Sequence, residues 1–408
     1  MPALRGLYLI SGVLVGVLLP FVPVILSQRG LSAAQIGVVM ALTAVGYVVG
    51  MPLWGHLGDV VLGRRRALQV AALASSAAVL LFGAPLILPL VAAAVVAYYL
   101  VESGAGMLID AIAVNALVDH PERFGRARLV ASASFAVATL AAGATYDVLG
   151  YGPAYALAAV AGVLLALTAA RIADAPRARL ADYRRERSGA ADSSESAPRR
   201  AERWRDATGS IGVALAVEPR LVGVMAAVVL VHLGVLASFT FLPLRLAELG
   251  GDPSVIALSS TVSALFEIPA MFVAARMASR VGMRGLFAGA CGLYAAAFVS
   301  WVVLADPLLI VGSRVLTGLA YGSLTVAVVL TVGAMLPQRL QASGQALFGM
   351  SASGIASVGG NLGGGILFGA YGHGAVFACG AVGAVAAAVV AWRFLPARGE
   401  VRVGAARR

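Results

Sequence analysis

The chain contains twelve apolar runs, each near the length of a bilayer crossing. They lie near 7–27, 35–54, 67–84, 87–117, 129–148, 153–171, 220–242, 254–277, 285–304, 307–335, 341–369 and 374–395. A helix needs about 20 predominantly apolar residues to cross the hydrocarbon core. In lipid the backbone has no water to bond to, so each run must satisfy its own N–H and C=O groups as a helix. The expected fold is therefore an all-α membrane protein of twelve transmembrane helices. Composition agrees: only 12% of residues are charged, about half the roughly 25% of a soluble protein. That excludes a soluble enzyme, a disordered chain and a disulfide scaffold. The first run leads straight into the second without a clear small-residue cleavage site, so it reads as a span rather than a removed signal peptide.

Arginine sets the expected orientation, because basic residues collect in cytoplasmic loops. The net charge is +11 and all thirty basic residues are arginine. With both termini placed in the cytoplasm, twenty-seven arginines fall on the inside. Only Arg29 and Arg245 fall outside, and Arg314 lies within a span. The positive balance is then a consequence of topology, and nucleic acid is not needed as a partner. Cys291 and Cys379 sit in apolar runs and read as small core hydrophobes.

Residues 173–218 interrupt the pattern with a stretch rich in Arg, Ser and acid. Such a stretch cannot bury a core and reads as a flexible or partly helical cytoplasmic linker. It separates a six-helix half at 1–172 from another at 219–396, with a cytoplasmic tail at 397–408. The halves repeat: Pro23, Gly30 and Ile36 recur as Pro243, Gly250 and Ile256. Gly143 and Gly150 recur as Gly365 and Gly372, and Gly63 recurs less faithfully as Gly282. Parallel six-helix repeats with a site between them at the midplane are a transporter architecture.

These features carry a resemblance. PFVPVILSQRGLSAAQIG, PLWGHLGDVVLGRRR, MLIDAIAVNAL, FGRARLVASASF, LFEIPAMFVAARMASRVG and QALFGMSASG are similar to segments of the major facilitator superfamily, and within it to the lactose-permease and nucleoside–proton symporter relatives. The likeness covers nearly the whole chain. PLWGHLGDVVLGRRR resembles the inter-helix motif of Gly, Asp, Gly and basic residues. It departs by one extra residue between Asp59 and Gly63, and it lacks the usual base after the Asp. The resemblance implies that Gly55, Asp59, Gly63, Arg64 and Arg65 form a cytoplasmic gate between spans two and three. Gly55 would allow close helix approach, and Asp59 would pair with an Arg or cap a helix; plain topogenic charge is the alternative.

Glu102, Asp110, Glu267 and Arg314 lie within spans. A charge at the bilayer centre costs about 2.5–3.5 kcal/mol on insertion scales, so such residues should line a wet cavity or pair across helices. Asp110 and Arg128 stand eighteen residues apart before and within FGRAR. The lactose-permease family has a carboxylate and an Arg at this separation and in this context, where they bind sugar hydroxyls. A carboxylate that accepts and a guanidinium fork that donates can together read a polyol. An interhelical salt bridge without ligand is the other reading. Glu102, eight residues before Asp110, would deepen the same cavity or sit nearer the outer mouth, and Asn115 is a weaker neighbour.

In the second half, Glu267 in span eight and Arg314 in span ten are candidates for proton coupling. An apolar setting favours the protonated carboxyl and a nearby Arg favours the ionised one; a static buried pair is the alternative. The family's His and Glu of span ten are absent, with Thr317 and Ala320 at those positions. His232 in span seven either handles protons or is a satisfied core histidine. Tyr98, Tyr99, Trp54, Trp301 and Tyr321 fit interface belts or sugar stacking. The glycine-dense run in span eleven reads as a hinge and packing surface. No residues have metal-ligand spacing, no nucleotide loop has the strand–turn–helix context it needs, and no cofactor is expected.

The function these features imply is secondary uptake of a small polar solute, sugar- or nucleoside-like, by a monomer in the cytoplasmic membrane and driven by protons. The alternative is efflux of drugs or metabolites. Span five lacks the proline expected of the drug–proton antiporter branch. A sensor and an enzyme are disfavoured, because no signalling domain and no nucleophile–base constellation is present.

Overall fold

A computed structural model describes residues 2–84, 87–117, 120, 122–172 and 211–396. Most of the linker segment (173–210) and the tail (397–408) lie outside the described residues. The described chain is helical and holds no strand. In chain order the spans are α1 (Ala3–Gln28), α2 (Ala33–Val61), α3 (Arg64–Gly83), α4 (Leu88–Ala116), α5 (Glu122–Leu149) and α6 (Pro153–Ala170). After a short helical stretch at 211–217 come α7 (Arg220–Glu248) and a continuous helical run, Pro253–Val303. This run bends at Gly282, whose φ of 74° is not helical, and so contains two spans, α8 (253–281) and α9 (283–303). Then follow α10 (Pro307–Met335), α11 (338–371) and α12 (His373–Phe394). α11 is interrupted by a π-helical turn at Met350–Ile355. The twelve apolar runs therefore correspond to twelve helical spans, and the chain is a multi-pass membrane protein.

Local chemistry starts and stops these helices. Ser32 and Gln35 form a reciprocal capping box at the start of α2: Ser32 N donates to Gln35 Oε1 at 2.8 Å and Gln35 N to Ser32 Oγ at 3.3 Å. Asp306 caps α10 by accepting from Leu308 N and Leu309 N. Between helices the chain turns on glycines with positive φ, a region an L side chain enters only with strain. There are six among the described residues, and they fall into three repeat pairs: Gly30 with Gly250, Gly63 with Gly282, and Gly150 with Gly372. The repeat extends to a bond. Arg65 Nη1 donates to Ile172 O at 3.3 Å just after α6, and Arg284 Nε donates to Leu395 O at 2.6 Å just after α12. In each half, the arginine two residues past the positive-φ glycine satisfies a carbonyl left open at the end of the last helix.

The described residues group into two compact units. One contains those among 1–17, 46–138 and 154–208. The other contains those among 18–45, 139–153 and 209–408. α1, α2 and α5 therefore each change unit along their length. In the first unit α3 lies along α4, and small residues set the approach of α2 to α4: a side chain at Gly50 would strike Ser103, and one at Gly104 would strike Trp54. In the second unit α10 packs on α8, where a Cβ at Gly322 would lie 2.5 Å from Glu267 O. Gly37 of α2 meets Asn361 and Gly365 of α11, and Gly143 of α5 meets Ala257 of α8. Asp147 accepts from Ser254 N at 2.9 Å and also from Ser254 Oγ, so α5 supplies the N-terminal cap of α8. Burial and the nearby Asp147 and Asp252 push the phenol of Tyr151 up to about 12, which keeps it neutral.

The outward surface is apolar. Val148, Ile87 and Val389 are 81%, 70% and 67% exposed, as suits a face whose solvent is lipid. Cys379 lies on such a face, whereas Cys291 is buried; the expectation that both are core residues holds only for Cys291. Trp54, Tyr98, Tyr99 and Trp301 are buried and form no interface belt. Trp54 Nε1 donates to Leu100 O and Trp301 Nε1 to Ser313 Oγ.

Candidate functional site

The Asp110 carboxylate is approached from two helices. Tyr8 of α1 donates its hydroxyl to Asp110 Oδ1 at 2.7 Å, and Arg128 Nη1 of α5 lies 3.6 Å from Oδ2. The side chains of Arg128 and Asp110 remain 64% and 37% exposed. An ion pair this open contributes about 0–1 kcal/mol to stability, so it is a poor clamp. It leaves most of the guanidinium fork open to other acceptors. Tyr8 was not singled out from the sequence. It is separated from Asp110 by 102 residues, and nothing in the apolar pattern of α1 marks it.

The residues expected from the sequence to form a cytoplasmic gate adjoin this group. Arg64 Nε donates to Asp59 Oδ1 at 2.8 Å, and Arg64 Nη1 donates to Ala111 O at 3.0 Å, one residue past Asp110. Asp59 sits in a π-helical turn, Leu57–Val61. A π turn absorbs one additional residue in a helix, which explains how the extra residue between Asp59 and Gly63 is accommodated. Gly55 has ordinary room, with Met107 Cε 3.6 Å from an added Cβ. The close approach expected at Gly55 occurs instead at Gly58, where Leu108 Cδ2 would be 2.7 Å away, and at Gly50. Asn115 is exposed near the end of α4.

Glu102 is held apart from this cluster. It is buried, accepts from the Tyr47 hydroxyl of α2, and lies beside Tyr98 and Tyr99. Asp110 and Glu102 thus share a helix but have different partners.

In the C-terminal half, Arg314 is 6% exposed. Its Nε donates to Ser259 O at 3.3 Å, and its guanidinium carbon lies 5.6 Å from the centroid of the Trp301 ring. Thr317 donates to Arg314 O at 2.8 Å and meets Ser263 Oγ at 3.1 Å. Glu267 is half-buried on α8, and Tyr294 of α9 lies within the fields of Arg314, Glu267 and Tyr321. His232 is buried. Its Nδ1 is 2.9 Å from Val228 O, and its ring stands edge-on to Phe348 with centroids 6.2 Å apart. Thr240 donates to Asn361 Oδ1 at 2.6 Å between α7 and α11, and Asn361 Nδ2 donates to Ser357 O. This buried link was not read from the sequence.

Two repeated sets of six spans, with ionisable side chains at membrane depth, define a membrane transporter of the two-halved kind. The chain belongs to the MFS_1 like family, whose model matches residues 2–379, and it is a secondary transporter. A maltose permease of Geobacillus stearothermophilus is 29% identical over 370 residues, which span 89% of this chain and 86% of that relative. Among solved structures, a mutant of the nucleoside transporter NupG superposes with a TM-score of 0.80 at 15% identity, covering 97% of this chain and 99% of that one. A D-xylose-proton symporter superposes with a TM-score of 0.66 at 15% identity, covering 98% and 97%. At such identities these two likenesses establish the fold.

Proposed function

We propose that the protein takes up a small polar organic solute, sugar- or nucleoside-like, across the cytoplasmic membrane by alternating access, in symport with protons. The observation that carries this reading is the open Asp110–Arg128 pair with Tyr8. Acceptor and donor are presented together on three helices with little stabilising value of their own, so a hydroxyl-rich solute completes their hydrogen bonding. The chain's likeness to a maltose permease, a nucleoside transporter and a D-xylose-proton symporter supports the substrate class and the coupling ion. The arginine distribution supports a cytoplasmic position for both termini. Asp59, Arg64 and Arg65, with the turn at Gly63, form the cytoplasmic gate. Its bond to Ala111 O ties it to the helix that carries Asp110.

In the C-terminal half Glu267 carries a coupling proton, and Arg314 is a fixed counter-charge within reach of the same tyrosine. Glu267→Gln mimics the protonated acid. Such a variant exchanges substrate at equal concentrations and fails to concentrate it, because accumulation needs deprotonation.

The test is thermal stabilisation of the purified transporter by maltose, xylose and uridine, followed by uptake into proteoliposomes under an imposed pH gradient. Stabilisation by one of these and accumulation toward the alkaline side fit the reading. Expulsion of solute against an inward proton gradient would establish efflux instead. Labelling of an engineered cysteine from outside at position 29, and its absence at 190, checks the orientation.

A further inference from the structure

Glu102 differs from Asp110, Arg128 and Arg314 in what surrounds it. Asp110 and Arg128 face each other, and Arg314 lies on a carbonyl and an indole face. Glu102 is buried and accepts from Tyr47 of α2. Its other titratable neighbours are Tyr98 and Tyr99 on its own helix. Tyr47 and Tyr99 have ring centroids 5.8 Å apart, and Tyr98 and Tyr99 5.3 Å. α3 carries Arg64, Arg65 and Arg66 at its start, and Arg64 is engaged with Asp59 and Ala111 O and Arg65 with Ile172 O. Asp110 lies eight residues on, about 12 Å along the helix axis. Among the described residues no Arg or His shares the site of Glu102.

A carboxylate at that depth without a cation costs more than one tyrosine hydrogen bond returns, so the acid is favoured in its neutral form. A second observation points outward from the cluster. The Tyr99 hydroxyl is buried and has no hydrogen-bond partner among the described residues. A hydroxyl in that condition calls for a water or a proton-bearing group beside it. The packing around the cluster is tight. Gly46 and Gly50 of α2 lie against Leu100 and Ser103, and Trp54 Nε1 bonds Leu100 O, so Tyr47 is held over Glu102 by the backbone contact of two helices.

We propose that Glu102, in its cage of Tyr47, Tyr98 and Tyr99, is a proton-binding site of the N-terminal half, separate from the Asp110–Arg128 substrate pair. The proton resides on the Glu102 carboxyl. On release it passes to a water at the Tyr99 hydroxyl, and the carboxylate left behind keeps the Tyr47 hydrogen bond; no other bond changes. Its use in transport rests on the proton-coupled reading above; its existence as a binding site does not.

Infrared spectroscopy of the full-length protein in lipid nanodiscs tests the site without any substrate. The wild type shows a protonated-carboxyl C=O stretch at neutral pH. Glu102→Gln loses the intensity of one carboxyl, Tyr47→Phe keeps the intensity and shifts the frequency, and Arg128→Lys changes neither. An unchanged spectrum in Glu102→Gln overturns the site, and thermal melting identifies a variant that fails to fold. Tyr47→Phe provides the second reading, since an unshifted band there overturns the cage. In proteoliposomes under a pH gradient, with maltose, xylose or uridine as the probe, Glu102→Gln exchanges but does not accumulate. Full accumulation by Glu102→Gln beside a responsive wild type overturns its role in transport. A wild type indifferent to the gradient overturns the coupling reading, and the infrared band still decides the site.

Discussion

The two halves of this transporter place an arginine in contrasting surroundings. Arg128 is 64% exposed and faces a carboxylate at 3.6 Å; Arg314 is 6% exposed overall and rests on Ser259 O and the Trp301 ring. Arg314 is costly within its span, and the two arginines are compensated differently. Arg314 is satisfied by the protein itself, so its removal is felt by the fold. Arg128 is only partly satisfied, so its removal is felt by whatever completes it. An open charge pair is weak as a structural element, and for that reason it is well suited to a ligand.

The largest expected effect breaks the contrast on the ligand side. Arg128→Lys keeps the charge and loses the guanidinium fork. One charge-assisted hydrogen bond corresponds to about 1.5–3 kcal/mol, so affinity for the stabilising solute should fall about 10- to 150-fold, with melting unchanged. A shifted melting temperature with intact affinity would mean that the pair is structural. On the other side, Arg314→Met should leave affinity within a few-fold and lower stability by about 1–2 kcal/mol through the lost indole contact and carbonyl bond, read as a lower melting temperature. Large loss of affinity at unchanged stability would place Arg314 with the substrate instead.

Tyr8→Phe sharpens the comparison. It removes one donor to Asp110 and should weaken binding by about tenfold or less, with a smaller effect than Arg128→Lys. The smallest effects test the repeat. Gly63→Ala and Gly282→Ala each force an alanine to positive φ, which costs roughly 1 kcal/mol, and equal shifts in melting are expected because the two turns are repeat equivalents. Gly55→Ala has room for its methyl and should be neutral.

Much of this architecture was legible in the chain. Run length set the spans, because the bilayer imposes one length and one backbone solution on all of them. The glycine offsets located the repeat, and all three positive-φ pairs fall on it. Asp110, Glu102, Glu267 and Arg314 stood out because a charge in an apolar run is expensive wherever the helix faces, and Arg128 through its spacing from Asp110 and the family resemblance. The sequence could not show where the helices divide: α1, α2 and α5 each pass from one compact unit to the other, and a hydropathy pattern is the same on both sides of such a point.

The sequence by itself determined what each segment must be: a span, a turn or a polar interruption, each dictated by local chemistry and the thickness of lipid. Tertiary structure alone decided which polar groups meet. Tyr8 reaches Asp110 across 102 residues, Tyr47 reaches Glu102 across 55, and Asp147 caps α8 from 107 residues away. None of these pairings has a periodic signature. In a bundle the meeting of two side chains depends on helix rotation and crossing. Here small residues such as Gly50, Gly104 and Gly322 set these by how closely they let the backbones approach.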